Sequence, residues 1–209
     1  MGFLLWYTLQ IKFRKQVYDM AQSVHTISFL HTWIRNKVSQ GDFCIDATAG
    51  KGKDTALLAE LVGPTGKVVA MDIQQDAINA TASLLDKKGL SEQVTLVLDS
   101  HANLTQYAEP DSVACIVFNL GYLPGGDHTI ATHAESTIQA LEQSLTCLKP
   151  LGIIAMAIYH GGDSGFVERD AVLDWLKTVD HKQYTVMVTD FYNRPNHPPL
   201  AVLIIREQN

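Results

Sequence analysis

Short apolar runs alternate with amphipathic stretches along the chain from Gly41 onward. The apolar runs predict five β-strands, at residues 42–47, 67–72, 94–98, 113–118 and 153–158. Between them, apolar residues recur with helical spacing, which predicts helices at residues 53–62, 75–88 and about 133–148. Strands that alternate with helices in this way are typical of a parallel sheet with helices on both faces.

The last two apolar runs, 184–189 and 201–206, are separated by too few residues for the crossover helix that parallel neighbours need. We therefore expect them to pair antiparallel. Before the first strand, residues 17–38 have the spacing of one amphipathic helix. The layout resembles the class I methyltransferase fold, a Rossmann-like α/β fold. Its mostly parallel sheet has seven strands and a C-terminal antiparallel hairpin, where a dehydrogenase usually has six strands.

Length and composition indicate a single domain. The chain has 209 residues, of which 46% are hydrophobic, enough for one buried core. We expect an N-terminal extension and helix over residues 1–40, and the resemblance implies a methyltransferase domain over residues 41–209. No apolar run reaches the roughly 20 residues that a bilayer-spanning helix needs. Three cysteines without close pairing favour reduced thiols and a cytoplasmic protein.

Charge is distributed unevenly. The net charge of −6 argues against a protein whose whole surface binds nucleic acid, because such binding depends on phosphate neutralisation. Residues 1–53 nevertheless have seven basic and three acidic side chains, a local net charge of +4, and the rest of the chain has −10. The pattern predicts either a local face for a polyanion or ordinary solvated side chains. The basic residues are Lys12, Arg14, Lys15, Arg35, Lys37, Lys51 and Lys53.

A glycine-containing loop follows the first predicted strand, in the sequence Asp46-Ala-Thr-Ala-Gly-Lys-Gly-Lys-Asp-Thr. Gly50 and Gly52 would let the backbone approach a ligand closely and leave N–H groups of the next helix pointing at it. The loop matches neither the phosphate loop of nucleotide triphosphatases nor the full dinucleotide fingerprint of dehydrogenases. Taken alone, it is as typical of a tight strand-to-helix turn as of a cofactor loop.

Two further aspartates stand at strand ends. Asp72 ends the second predicted strand, 26 positions after Asp46, where doubly wound folds hold ribose hydroxyls with a carboxylate. Asp99 follows the third strand. One such aspartate is usually a helix cap or a solvated turn residue. Three in order along one edge of the sheet, together with the glycine loop, favour a ligand site.

The arrangement resembles S-adenosylmethionine binding in class I methyltransferases. This resemblance implies that Asp46, Gly50 and Gly52 surround the methionine part of the cofactor, that Asp72 binds the ribose hydroxyls, and that Asp99 binds the adenine amino group. The other residues that we expect at the cofactor are Thr48, Lys51, Asp54, Ile73, Gln74, Ser100 and His101.

A second loop follows the fourth strand, in the sequence Asn119-Leu-Gly-Tyr-Leu-Pro-Gly-Gly-Asp-His. Asn119 and Tyr122 have the spacing of the (Asp/Asn/Ser)-Pro-Pro-(Tyr/Phe/Trp) motif of amino-group methyltransferases, and we expect them to be catalytic. An amide oxygen can accept hydrogen bonds from an amine, and an aromatic face supports a developing cation. Leu120 and Gly121 replace the two prolines of the motif. The alternative is a glycine-proline turn in which Asn119 is a cap.

The full set of motifs resembles a narrower group, a small bacterial family labelled as rRNA methylases. That family is associated with methylation of the 5-aminomethyl group of the wobble uridine in tRNA. The resemblance covers about residues 20–209, so Met20 is an alternative start to Met1. The motifs are Asp-Ala-Thr-x-Gly-x-Gly-x-Asp-Thr, Asp-Ser-His, Asn-Leu-Gly-Tyr-Leu-Pro-Gly-Gly-Asp, Ile-Tyr-His-Gly and Asn-Arg-Pro-Asn-His-Pro-Pro. Departures are the N-terminal extension and two lysines, Lys51 and Lys53, where the family more often has Asn and His.

The resemblance implies an S-adenosylmethionine-dependent N-methyltransferase that acts on the anticodon region of tRNA. The residues expected at the substrate are Leu123, Gly125, Gly126, Asp127, His128, Tyr159, His160, Arg194 and Asn196. Asp127, His128 and solvent remain alternative proton acceptors. We expect neither a metal, since the histidines form no ligand motif, nor a membrane partner. The oligomeric state stays open, a homodimer included.

Three other functions remain open. The first is methylation of another amine, in rRNA or in a small molecule. The second is binding of S-adenosylmethionine or a nucleotide without catalysis, which the Asn119 and Tyr122 pair argues against. The third is a nicotinamide-dependent oxidoreductase, which the antiparallel end of the sheet disfavours.

Overall fold

The protein is built around one seven-stranded sheet with the strand order β3-β2-β1-β4-β5-β7-β6. The computed structural model describes residues 25–121, 132–159, 162–195 and 198–208, with only the backbone for residues 162–165. The strands are β1 (Phe43–Asp46), β2 (Lys67–Asp72), β3 (Val94–Leu98), β4 (Val113–Leu120), β5 (Leu148–Ile158), β6 (Tyr184–Thr189) and β7 (Leu200–Arg206). The first five pair in parallel, and β7 pairs antiparallel with both β5 and β6.

In the described part of the chain, five α-helices cover the two faces of the sheet. They are α1 (Thr26–Lys37), α2 (Lys53–Val62), α3 (Gln75–Lys88), α4 (Ala134–Cys147) and α5 (Gly162–Leu176). Successive strand residues point to opposite faces, so each face has its own apolar layer. One layer contains side chains of α1 and α2, and the other contains side chains of α4 and α5. Both faces are buried, which explains why the central strands are almost continuously apolar.

The sheet and its antiparallel end confirm the predicted fold class. The bounds of β2, β3, β6, α2 and α3 agree with those predicted. Strand β5 begins five residues earlier than predicted, and α5 was not predicted. The prediction of one helix over residues 17–38 is wrong at its start, because the backbone of His25 is extended and the described helix begins at Thr26 and ends at Lys37; residues 17–24 lie outside the described residues.

Helix α1 begins at Thr26 because its preceding residue caps it. The His25 ring accepts a hydrogen bond from the Ser28 backbone N–H, and the Ser28 hydroxyl oxygen accepts one from the His25 backbone N–H. The Thr26 hydroxyl donates to the Pro199 carbonyl at 2.6 Å. This contact joins the first turn of α1 to the start of β7, next to the carboxyl end of β5.

Three observations limit what else the described part of the chain contains. None of its helices is both long and apolar enough to cross a lipid bilayer. It holds no group of three or more His, Cys, Asp or Glu side chains that could bind a metal ion. Cys44, Cys115 and Cys147 are buried free thiols.

Candidate active site at the carboxyl edge of the sheet

The glycine loop between β1 and α2 depends on two left-handed residues. Gly50 has a φ of +54° and Gly52 a φ of +77°, a region that L side chains rarely adopt. A Cβ atom on Gly52 would also lie only 2.9 Å from the Thr81 Cα atom of α3. The loop therefore packs directly on α3, and a side chain at Gly52 would push the two apart.

Asp46, at the end of β1, accepts hydrogen bonds from the glycine loop and from the first turn of α2. Its side chain is fully buried. One carboxylate oxygen accepts from the Thr48 backbone N–H at 3.2 Å, and the other accepts from the Thr55 hydroxyl at 2.6 Å. Burial, followed by the nearby charge of Asp54, raises the pKa of Asp46 to about 7. Both oxygens of Asp46 thus contact the loop and the first turn of α2.

Asp72 lies at the end of β2 between the glycine loop and α3. Its carboxylate accepts from the Gly50 and Gln74 backbone N–H groups, each at 2.9 Å. Each carboxylate oxygen can accept a second hydrogen bond, so the fixed carboxylate could still bind two hydroxyl groups. Ile73, the next residue, is 56% exposed. An apolar surface beside a fixed carboxylate suits an aromatic base attached to a ribose.

Asp99 follows β3, and its carboxylate already accepts three hydrogen bonds within the protein. It accepts from the Ser100 backbone N–H, the Asn103 side chain and the Tyr107 hydroxyl, at 2.7 to 2.8 Å. The Asn103 and Tyr107 hydrogen bonds lower the pKa of Asp99. Of the about four acceptor positions on a carboxylate, one remains, which suffices for one amino group.

Two neighbours of Asp99 have different environments. The Ser100 hydroxyl caps the following short helix by accepting from the Ala102 N–H at 3.2 Å. The His101 ring is buried edge-on against Phe118, and its Nε2 atom has no hydrogen-bond partner. Burial lowers the pKa of His101, which favours the neutral ring. A buried nitrogen without a partner beside the sheet edge is a group that a ligand could satisfy.

Asn119 connects three elements near the end of β4. Its backbone N–H donates to the Thr48 hydroxyl at 2.7 Å. Its side-chain Nδ2 donates to Asp54 Oδ2 at 2.8 Å, and Asp54 Oδ1 lies 2.6 Å from His31 Nε2. Burial would raise the pKa of Asp54, but the hydrogen bonds from His31 and Asn119 outweigh it, so the pKa is lowered and Asp54 is a carboxylate.

Tyr159 lies against the same end of the sheet. Its backbone N–H donates to the Leu120 carbonyl at 3.0 Å. A Cβ atom on Gly121 would lie 3.2 Å from the Tyr159 Cβ atom, so the glycine allows the two segments to touch. Burial and the charge of Asp54 raise the pKa of Tyr159. Tyr159 is 41% exposed and therefore remains accessible beside the Asn119 and Asp54 pair.

A buried glutamate supports the contact between Gly121 and Thr132. The Gly121 N–H donates to the Thr132 hydroxyl oxygen at 2.9 Å, and the Thr132 N–H donates to the Gly121 carbonyl at 3.1 Å. Glu168 of α5 accepts from the Thr132 and Thr137 hydroxyls at 2.7 and 2.8 Å. Glu168 is only 5% exposed, and these two hydroxyls replace the hydrogen bonds to water that its carboxyl group loses on burial.

Several predicted site residues lie outside the described residues, among them Tyr122, which was predicted to be catalytic. They are Tyr122, Leu123, Gly125, Gly126, Asp127, His128, His160 and Asn196. Arg194 is exposed on the connection between β6 and β7. That connection packs on α1 through an edge-to-face contact of Phe191 with Phe29.

The sequence analysis missed His31 and Glu168. Each contacts the site from a helix that is distant in sequence, 23 residues before Asp54 and 36 residues after Thr132. Glu168 is followed by Arg169 and Asp170, so its local sequence does not distinguish it from a solvated acid. No local pattern marks His31.

Comparison with known proteins agrees with this architecture. Residues 68–205 match the family described as "Putative rRNA methylase", which is more than half of the chain. The chain belongs to this family. A solved structure of a candidate rRNA methylase from Clostridium thermocellum is 45% identical, with a TM-score of 0.86, and the match covers 88% of this chain and 98% of that one.

Two further relatives bear on the cofactor. A candidate methyltransferase from Streptococcus mutans, solved in complex with SAH, is 32% identical with a TM-score of 0.79, over 88% of this chain and 98% of that one. The tRNA (mnm(5)s(2)U34)-methyltransferase, chloroplastic, of Arabidopsis thaliana is 35% identical over 81% of this chain, and the match spans 65% of that longer protein. The chain is an S-adenosylmethionine-dependent methyltransferase, as predicted.

Proposed function

We propose that the protein methylates the 5-aminomethyl group of the wobble uridine of tRNA to 5-methylaminomethyl. The observation that carries the proposal is the orientation of the Asn119 side chain. Its Nδ2 faces Asp54, and Oδ1 has no hydrogen-bond partner among the described residues, so it can accept a hydrogen bond from an incoming amine. An amine held by its hydrogens can turn its lone pair toward the methyl donor.

We assign the cofactor to the edge formed by the glycine loop, Asp72 and Asp99. When bound, S-adenosylmethionine supplies an electrophilic methyl group on a sulfonium. Asp72 would bind the ribose hydroxyls, and Ile73 would lie against the adenine. Asn119 would hold the neutral amine so that the nitrogen–carbon bond forms in line with the carbon–sulfur bond that breaks. Before attack, the protonated amine loses its extra proton to solvent. Holding the amine and the methyl group in line is worth roughly 7–11 kcal/mol of the activation barrier.

Two observations support RNA as the substrate. The plant relative's name specifies a uridine at position 34 of tRNA. Lys51 and Lys53 are exposed on the glycine loop and at the start of α2, at the carboxyl edge of the sheet. Arg35 instead lies in the last turn of α1, which leads away from that edge. We therefore assign the phosphate contacts to the two lysines, with Arg194 as a further candidate.

Mass spectrometry of tRNA nucleosides tests this proposal in cells that have or lack the protein. We expect that loss of the protein removes 5-methylaminomethyl-uridine derivatives and leaves the 5-aminomethyl precursor in their place. An unchanged tRNA profile together with a missing methyl group in rRNA would move the substrate to rRNA and overturn the proposal.

A further inference from the structure

The carboxylate of Asp54 lies between two side chains from other elements. Its Oδ2 accepts from Asn119 Nδ2 at 2.8 Å, and its Oδ1 contacts His31 Nε2 at 2.6 Å. The Asp54 side chain is 13% exposed and that of His31 is 27% exposed. The contacts therefore form a short chain from α1 through α2 to the end of β4.

The orientation of the Asn119 amide decides what the site can bind. An amide has one end that accepts hydrogen bonds and one end that donates them. Only the accepting end can hold the hydrogens of an amine, whereas the donating end would compete for the amine's lone pair. An ionised carboxylate only accepts, so the amide NH₂ must face Asp54 and the oxygen must face away from it.

We infer that Asp54, braced by His31, is a positioning residue that fixes the Asn119 amide with its oxygen toward the nucleophile. This inference rests on the proposed N-methylation, since it concerns the same amine. It also gives the site a specificity rule: the nucleophile must donate a hydrogen bond to Asn119. Asp54 thereby acts on the reaction without touching the substrate, a role different from the cofactor contact that the sequence suggested.

The Asp54→Asn variant is the first test. An Asn side chain at this position can donate as well as accept, so the Asn119 amide loses its enforced orientation. We expect kcat to fall roughly 10- to 100-fold, the range set by a hydrogen bond to a charged group. The KM for tRNA and the affinity for S-adenosylhomocysteine should change less than 3-fold. The matched control is Asp76→Asn, an exposed aspartate in the first turn of α3, which should leave kcat unchanged.

A reversed pair separates positioning from a purely structural role. In the double variant Asp54→Asn with Asn119→Asp, the new amide donates to the new carboxylate, which again presents an acceptor to the amine. We expect its kcat to be at least 10-fold above that of Asp54→Asn alone. If Asp54→Asn does not fold, His31→Ala and His31→Gln replace it, with a loss of turnover in the first variant and recovery in the second, which keeps a donor.

The outcomes distinguish this inference from the function on which it rests. Asp54→Asn with kcat within 2-fold of wild type, or a reversed pair no faster than Asp54→Asn, would overturn the positioning role. If Asn119→Ala is inactive at the same time, the proposed function stands and only the role of Asp54 is lost. If Asn119→Ala is also fully active, amine orientation by Asn119 itself is wrong.

Discussion

The side-chain amide of Asn119 donates to the carboxylate of Asp54 over 2.8 Å, although 65 residues separate them in the sequence. Asp54 is in the first turn of α2, directly after the glycine loop, and Asn119 is near the end of β4. The residue assigned to the substrate amine is thus bonded to the helix that follows the cofactor loop. Changes at this contact should affect methyl transfer more than cofactor binding.

Substitution of Asn119 tests the amine acceptor. Asn119→Ala removes the oxygen that orients the nucleophile, so turnover with 5-aminomethyl-uridine tRNA should fall roughly 100-fold or more. The affinity for S-adenosylhomocysteine should remain within a few-fold. Single-turnover transfer from labelled cofactor measures the first quantity and calorimetry the second. Near-normal turnover in a folded variant would redirect the search to Asp127, His128 and His160.

Substitution of Asp72 tests the ribose assignment. The Asp72→Ala variant loses a carboxylate that also orients the Gly50 N–H. Hydrogen bonds to charged groups contribute about 1.5–3 kcal/mol each, so the Kd for S-adenosylhomocysteine should rise at least 10-fold. Isothermal titration calorimetry checks this, with exposed Asp76→Ala as the control. Equal affinities in the two variants would remove Asp72 from the cofactor site.

The raised pKa of Asp46 predicts how the free energy of unfolding depends on pH. Its folded-state pKa is about 7, above its ordinary value of 3.8. The folded protein therefore binds a proton more tightly than the unfolded chain, so this contribution to stability is complete below about pH 4 and is lost as the pH rises through 7. The free energy of unfolding of wild type minus that of Asp46→Asn should decrease between pH 5 and 8. Urea titrations at each pH measure it, and a constant difference would contradict the buried acid.

The exposed lysines test the RNA surface. The double variant Lys51→Glu with Lys53→Glu should weaken tRNA binding. It should also flatten the salt dependence, because the slope of log Kd against the logarithm of the salt concentration is proportional to the number of phosphates that the protein neutralises. The double variant Lys67→Glu with Lys87→Glu, at the start of β2 and the end of α3, changes the charge equally at the opposite edge of the sheet; it is the matched control and should bind tRNA normally. Filter binding at several salt concentrations measures both. Loss of binding in both variants to the same extent would indicate a general charge effect.

Local patterns predicted most of the fold, and what they missed has either a weak local signal or depends on long-range contacts. Helix α3 and strand β2 were predicted to the residue because their apolar spacing is regular and Gly89 ends the helix in a left-handed conformation. Helix α5 was not predicted because glycines and polar residues fill its first turn. The contact of His31 with Asp54 depends on how α1 packs across the sheet, which no local pattern encodes.

Reconstitution with purified components tests the central claim most directly. The protein is incubated with S-adenosylmethionine carrying an isotopically labelled methyl group and with tRNA that contains 5-aminomethyl-uridine at the wobble position, and nucleosides are then analysed by mass spectrometry. We predict that the label is found on the aminomethyl nitrogen of that uridine and that Asn119→Ala reduces it roughly 100-fold. Label on any other nucleoside, or none with a protein that binds S-adenosylhomocysteine normally, would contradict the account.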